Sequence, residues 1–586
     1  MFIKKLRVTK SLHSLFSADQ KMILFQIIQL AVSYTNAKDI QTFSHQENIT
    51  ASQNNSQPLE HIQNLDHKFN KTVFITGSTG VMGTATVQEL MKYEFIKIKI
   101  LVRKSKKNIK LMKEYQNKDN IEIVWGDLLN YDDILRGVTG SDYVLHIGGM
   151  VSPKADLYPY LTRKTNVGSA ENIVKAVLSQ PNKDDIKVCY IGSVAETGNR
   201  NYPIHWGRTG DPIKVSVYDH YGVSKVLAEK VFVESGLKNW VVMRQSGILH
   251  HGLFHHMDPI IFNVPLNGVL EWCTVEDSGR LMANLVLSDD DKLPEEFWCK
   301  FYNIGSGENY RLTNYEFESL ILSSIGLGSV ESIFNPNWFS SKNFHGHYYI
   351  DSDILENYLH FRENLPTKEY FQRLAGECEF FYRIPKLIPF KNILSLFIKP
   401  FMKAIASTKT MGTLDWVKYH SLSHFNHLTA FFGSYEEYLS IPNAWDLFEL
   451  KKYDTSITTG HQLKLNHGYD ETKPYDQLDI NDMKEAAHYR GGEIVSRSMI
   501  QGDLRTKLTW KCGHCGKTFE ASPTLILLGG HWCPHCYIPH DTWNYDSIAR
   551  TNPFFAQVWY SDHKFNESHI YTFAEIFDEP CYEHHH

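Results

Sequence analysis

Tyr221 and Lys225, in the run YGVSK, place a phenol and an ammonium four residues apart, the spacing that brings two side chains onto one helix face. A phenol with its usual pKa of about 10 is a poor base at neutral pH. A neighbouring cation favours the phenolate and makes the pair usable for proton exchange. Upstream, IGSVA sets Ser193 just past a strand-like run, where its hydroxyl could hold a substrate carbonyl or alcohol. The Y-x-x-x-K spacing alone is common on helix surfaces. It gains weight from what precedes it in the chain.

That is VFITGSTGVMG, Val73 to Gly83. Val73 to Thr76 reads as a short buried strand, and Gly77, Gly80 and Gly83 fall in a turn that opens a helix from Val81 to about Tyr93. Glycines there let backbone approach a ligand and let the helix pack closely on a sheet. The helix start aims free N–H groups at an anion, most often a pyrophosphate. A third constellation lies far downstream: Cys512-x-x-Cys515, seventeen residues, then Cys533-x-x-Cys536. Two such pairs at that loop length point to a structural zinc held by four thiolates, with no open position for catalysis. His514, His531 and His535 beside them are read as solvent-facing.

The elements that must position these groups alternate. Strand-like runs at Ile96–Val102, Ile121–Trp125, Asp142–Ile147, Lys187–Ile191 and Trp240–Met243 are separated by helical stretches, including about Tyr160–Leu178 and Val217–Glu234. This predicts βαβ units and a doubly wound α/β fold, with its ligand crevice at the carboxyl ends of a parallel sheet. After the second strand, an acid would bind a free ribose 2′-hydroxyl, whereas an arginine accommodates a 2′-phosphate. LVRKSKK supplies Arg103 and Lys104 and no acid before Glu114, which favours NADP(H), with NAD(H) the alternative.

These residues resemble the extended short-chain dehydrogenase/reductase superfamily, which includes NAD-dependent epimerases and dehydratases and 3β-hydroxysteroid dehydrogenase-like proteins. The resemblance covers roughly 71–310. TGSTGVMG matches the cofactor turn, and implies contacts from Gly77, Ser78, Thr79, Gly80, Val81, Met82 and Gly83. WGDLLN implies that Asp127 meets the adenine with Leu128 packed beside it. HIGGM places Ile147, Gly148 and Gly149 under the cofactor, and TNVGSAEN supplies Asn166, implied to hold a relay water. MRQSGI matches the segment after the sixth strand, with Gln245 where a proline is usual; TVEDSG and YNIGSG match at Asp277 and Asn303. Ser193, Tyr221 and Lys225 match the catalytic residues. In the mechanism the resemblance implies, Tyr221 exchanges the proton, Lys225 binds the nicotinamide ribose and lowers the Tyr221 pKa, and Ser193 orients the substrate oxygen. The cysteine segment is similar to zinc-ribbon or treble-clef modules.

Composition bounds the rest. The chain has 586 residues, 42% hydrophobic and 22% charged, as in a soluble protein of two to four domains. A net charge of −6 and the lack of a basic stripe argue against nucleic acid. Scattered cysteines suit a reducing compartment, and the expected location is cytoplasmic. The basic leader Met1–Ser17 leaves organelle targeting, mitochondrial included, as an alternative to a frayed amphipathic segment.

The expected organisation is a leader and polar linker over 1–70, a reductase domain with its own core over 71–350 and a smaller substrate lobe from Ser246, a mainly helical region over 351–474, a four-cysteine zinc module and its flanks over 475–571, folded on its metal, and a tail over 572–586 ending in EHHH. The basic, apolar stretch Phe380–Ala406 reads either as a helix packed on the domain or as an interfacial membrane contact. His250, His251, His255 and His256 are taken as solvated loop residues. The leading expectation is an NADP-dependent oxidoreductase acting on a small or lipid-like carbonyl or alcohol. Alternatives are a sugar-nucleotide epimerase holding NAD, or a non-catalytic NADP-binding assembly subunit. Val194-Ala195-Glu196 after Ser193 departs from the T-D-E of the family's dehydratases. The expected partners are a small-molecule substrate, a protein docked on the zinc module, and a second copy in a homodimer.

Overall fold

In the computed structural model, residues 69–572 are described, apart from 256–257, 289–292, 379–384, 386–390, 422–423, 540–541 and 566. The leader, most of the linker, the first part of the Phe380–Ala406 stretch, and the tail beyond Thr572 with Cys581 and EHHH lie outside the described residues.

The glycine-rich turn follows β1 (Lys71–Thr76) and opens α1 (Val81–Leu90). Next come β2 (Ile96–Val102), β3 (Ile121–Trp125), α2 (Tyr131–Val138), β4 (Tyr143–His146), α3 (Pro159–Leu178) and β5 (Lys187–Ser193). The catalytic-candidate helix α4 (His220–Val233) leads to β6 (Asn239–Gln245), α5 (Val275–Leu287) and β7 (Lys300–Ile304). The seven strands form one sheet in the order β7-β6-β5-β4-β1-β2-β3, every neighbouring pair parallel. The order reverses between β1 and β4, where Val73 lies opposite Tyr143, and a doubly wound sheet opens its crevice at that point. Strand residues alternate between two cores: Phe74, Val144, Val188 and Val242 face one layer, and Val73, Ile75, Leu145, Val241 and Met243 the other.

The segment after Ser246 is less separate than its loosened pattern suggested. β7 joins the main sheet as its seventh strand, Lys300 opposite Val241, and α5 packs along α1. Its apolar Phe301, Tyr302 and Ile304 need a strand neighbour on a buried sheet, and β6 provides it. What remains of the lobe is small ladders, Ile248–Leu249 with Cys273–Thr274 and Val269–Glu271 with Arg311–Thr313. Among the described residues, the next region carries helices as far as Ser440, including α6 (Lys391–Ala406); beyond it single 3₁₀ turns punctuate an irregular path to about 474. Among the described residues, no helix is long and apolar enough to cross a membrane.

The cysteine module is a three-stranded antiparallel sheet of β8 (Gly492–Ile494), β9 (Leu508–Cys512) and β10 (Thr518–Ala521). The expectation that the upstream sheet domain keeps a core of its own, apart from this module, is corrected by the structure. Trp510, Leu525, Ile526, Trp543 and Trp559 pack in one continuous cluster with Val226, Phe232, Trp240 and Phe301 of the sheet domain. Large aromatic side chains on a small sheet cannot be covered by that sheet alone, so they are covered by α4 and its neighbours.

Candidate active site

The cofactor turn is built on contacts too close for a side chain. Gly77 has φ +76°, and a Cβ there would lie 2.7 Å from the Gly148 Cα. A Cβ at Gly83 would lie 2.2 Å from the Gly77 carbonyl oxygen. Thr76 fixes the other wall: its hydroxyl accepts from the Gly148 N–H at 3.0 Å and lies 2.8 Å from His146 Nδ1. Burial holds the His146 pKa down, to about 3, so the ring is a neutral structural strut. Thr79, Gly80 and Val81 are exposed, and no side chain caps α1 at Gly80. The open helix start and the bare backbone of this cradle fit a dinucleotide pyrophosphate. Ser78 and Met82 are buried beneath it, and Ile147 is half-buried beside it.

Ser193 ends β5 and Tyr221 begins α4, and the Ser193 hydroxyl acts on the phenol, favouring its ionised form. Asp219 starts that helix by accepting from the Gly222 N–H at 2.6 Å. Lys225 follows one turn later, its Nζ 5.9 Å from the Tyr221 ring centroid and donating to the Ile191 carbonyl at 2.8 Å. Asn166 ties the β4 loop to the helix. Its Oδ1 accepts from the Met150 N–H at 2.7 Å, and its Nδ2 donates to the Met150 carbonyl at 3.0 Å and to Ser224 Oγ at 2.8 Å. Ser224 in turn donates to the Tyr221 carbonyl at 2.7 Å. Gly149 stays bare because a Cβ would lie 2.8 Å from Asn166 Oδ1.

The electrostatics of the pair are set first by burial. Burial pushes the Tyr221 phenol above its usual value; the Ser193 hydroxyl opposes this, and Glu196, Asp219 and Asp156 reinforce it. Lys225 is itself lowered to about 8 by burial, with Glu196 and Glu229 pulling the other way. Lys225 donates to the Ile191 carbonyl, and burial sets the direction of the phenol's shift.

Behind the pair lies a network that the spacing arguments missed. The Ser193 N–H donates to Glu196 at 2.7 Å. Arg244 lies 3.3 Å from Glu196 and grips Glu229 through Nε at 2.9 Å and Nη2 at 2.7 Å. The same Nη2 donates to the Gly529 carbonyl at 2.7 Å, and His531 Nε2 meets Glu229 Oε1 at 2.7 Å. His531 is therefore buried, against the reading of it as solvent-facing, because Glu229 needs a partner in a closed core. Glu196 is raised well above the usual carboxyl range by burial and by Glu229. Against the penalty of its own burial, Arg244 and His531 hold Glu229 well below that range. Part of the sequence signal was available: Arg244 stands inside MRQSGI, and Glu196 follows Ser193 three residues on.

An open cleft lies at the start of α4, walled by Leu157, Val217, Ile260, Phe344, Met411 and Trp416. Asp156 and Asp219 both reach it. Asp156 accepts from the Tyr221 N–H at 3.2 Å, and Asp219 meets His345 Nδ1 at 2.9 Å. Burial and the Asp219 charge raise the Asp156 pKa to about 7.

The other expected cofactor residues surround the crevice. Arg103 and Lys104 are exposed past the end of β2. The Asp127 carboxylate accepts from the Leu129 N–H at 2.9 Å, and the Leu128 carbonyl accepts from Asn172 at 3.0 Å. Gln245 is buried, accepting from Ser278 at 3.2 Å.

The four cysteines come together. Their Sγ atoms lie within 4.8 Å of one another, with Cys512–Cys536 and Cys515–Cys533 each at 3.6 Å. Zn–S bonds of about 2.3 Å imply sulfur separations of roughly 3.8 Å in a tetrahedron, so the set fits a metal and is far too wide for disulfides. His535 is exposed and His514 lies 3.3 Å from Thr551, so neither is needed as a ligand.

Residues 73–244 match the NAD dependent epimerase/dehydratase family. The match to this family begins in β1 and ends at Arg244 in β6, so it holds the glycine turn, Asn166, Ser193, Tyr221 and Lys225. Curated relatives include the UDP-glucose 4-epimerases of Rickettsia bellii, 30% identical over 174 residues, and of Rickettsia prowazekii, 31% identical over 168. These alignments cover 29% and 28% of this chain and 45% and 43% of the relatives. The chain thus spans less than half the length of the curated relatives it matches. Among solved structures, a UDP-glucuronic acid 4-epimerase from Bacillus cereus, in complex with UDP-glucuronic acid and NAD, superposes with a TM-score of 0.42 at 14% identity, over 54% of this chain and 100% of that one.

Proposed function

We propose that this protein is a nicotinamide-dependent oxidoreductase of the extended short-chain dehydrogenase/reductase type, preferring NADP(H) and acting on a carbonyl or alcohol. The observation that carries the reading is the convergence of Ser193 at the end of β5 on Tyr221 of α4, with Lys225 one turn on, in a sheet whose first turn is the glycine cradle of Gly77, Gly83 and Gly148. The cofactor, when bound, accepts or supplies hydride. Ser193 orients the substrate oxygen, and Tyr221 gives or takes its proton. The phenol's raised pKa keeps it protonated at neutral pH, which suits it as the donor in carbonyl reduction. Lys225 can exchange its bond to Ile191 for a ribose hydroxyl, and Asn166 holds the loop and helix in register. The NADP(H) preference rests on exposed Arg103 and Lys104 at the end of β2. We also assign the four thiolates to one structural zinc.

Tyr221→Phe tests the core of the reading. Turnover on a panel of carbonyl substrates should fall by about 10²–10⁴ while NADPH binding, followed by fluorescence, stays within a few-fold. An active variant refutes the assignment. Arg103→Glu should shift preference toward NADH; wild-type protein that already binds NADH more tightly overturns the NADP(H) preference. The names of the curated relatives support a second reading, epimerisation of a sugar nucleotide. Oxidised NAD released only on denaturation, with conversion of UDP-glucose, would favour it.

A further inference from the structure

Helix α6 presents apolar residues on two sides. Met402, Ile405 and Ala406 are buried against Phe262, Leu322, Phe334 and Trp338. On the other side Leu396 is 70% exposed and Phe397 46% exposed. Pro400, Lys403, Ala404 and Ser407 continue that exposed face at helical spacing. The inner side accounts for the packing of the helix; the outer pair keeps much of its apolar surface in solvent.

Charge distinguishes this segment from the rest of the chain. From Phe380 to Leu414 there are six cations, Arg383, Lys386, Lys391, Lys399, Lys403 and Lys409, and no aspartate or glutamate. The chain as a whole carries −6. The sequence around the exposed leucine and phenylalanine is therefore purely cationic, and its Lys403 and Lys409 are exposed.

We propose that the outer face of α6 docks this protein on an anionic lipid surface. Leu396 and Phe397 enter the boundary between headgroups and acyl chains, and Lys403 and Lys409 lie against lipid phosphates. Nucleic acid would answer the lysines and leave the apolar pair in water. A neutral bilayer would accept the apolar pair and leave the lysines without counter-charge. The helix also packs on the Pro259–Asn263 turn, whose Ile260 and Asn263 line the cleft beside Asp156, so docking holds the cleft near the lipid.

Flotation of the full chain with vesicles tests this. Vesicles with about one quarter phosphatidylglycerol should bind at least about tenfold more protein than phosphatidylcholine alone, and about 0.5 M salt should remove most of the difference. Leu396→Ser with Phe397→Ser, and separately Lys403→Glu with Lys409→Glu, should each cut binding about tenfold without moving Tm, since these side chains point to solvent. Equal binding to both vesicle types overturns the proposal, as does wild-type binding by both double variants. So does a vesicle-inert dimer that Leu396→Ser with Phe397→Ser dissociates, which would make the face a contact between copies of the chain.

Discussion

Asp156 shows what burial does to a single carboxyl. With its pKa raised to about 7, the folded protein keeps a proton that the unfolded chain releases near pH 4. The folded state therefore binds more protons across that window, and stability falls as pH rises from about 4 through about 7. Asp156→Asn, neutral at every pH, should remove that fall, a change on the order of a few kcal/mol between the ends of the window. Urea melts of both proteins at pH 5 and pH 7.5 measure it, and parallel pH profiles would contradict it. At this scale the sequence was informative where chemistry follows from order along the chain. Tyr221, Lys225 and Ser193 could be picked out because the helix repeat and a strand end fix their places. Asp156, Asp219 and His345 could not, because they converge from three segments that nothing local links.

Elements were legible wherever a residue pattern has a period. The turn from β1 to α1 announces itself because only glycine fits, and the strands announce themselves by apolar runs. β7 was harder to place, since its neighbour β6 lies more than fifty residues earlier and pairing is not written in either strand. His531 is harder still: it stands among three histidines in a cysteine-rich loop, and only the tertiary fold sets it on Glu229 of α4. We expect His531→Ala to destabilise the protein by about 1.5–3 kcal/mol, the range for a hydrogen bond to a charged group that is left buried. His531→Gln, which keeps a donor for Glu229, should recover part of that loss. Chemical denaturation resolves the two, and a His531→Ala variant as stable as wild type would mean that Arg244 alone suffices for Glu229.

At the scale of the whole molecule, the cysteine module is a wall of the sheet domain rather than an appendage. Gly530 has φ +74°, and a Cβ there would lie 1.9 Å from the Asp211 carbonyl oxygen, so the chain before Cys533 runs hard against the segment leading to α4. Arg505 donates to the Leu237 carbonyl at 2.8 Å, Ser522 to Glu234 at 2.7 Å, and Tyr545 to the Val215 carbonyl at 3.0 Å. Asp211 is bound from the irregular stretch before the module, by His467 at 2.9 Å. Reading the module as independent implied that its loss would spare cofactor binding. The shared core reverses that expectation. Cys512→Ser with Cys533→Ser leaves two thiolates, too few to close a small sheet whose Trp510 belongs to the core shared with α4. Elemental analysis should find about one zinc per wild-type chain and far less in the double variant. Unfolding of the variant should then proceed as one broadened or lowered transition that takes the sheet domain with it, and NADPH binding should weaken along with new proteolysis near Lys473. A variant that loses zinc yet binds NADPH with wild-type affinity and melts at the wild-type Tm would show that packing around Trp510 and Trp543 holds the wall in place without the metal.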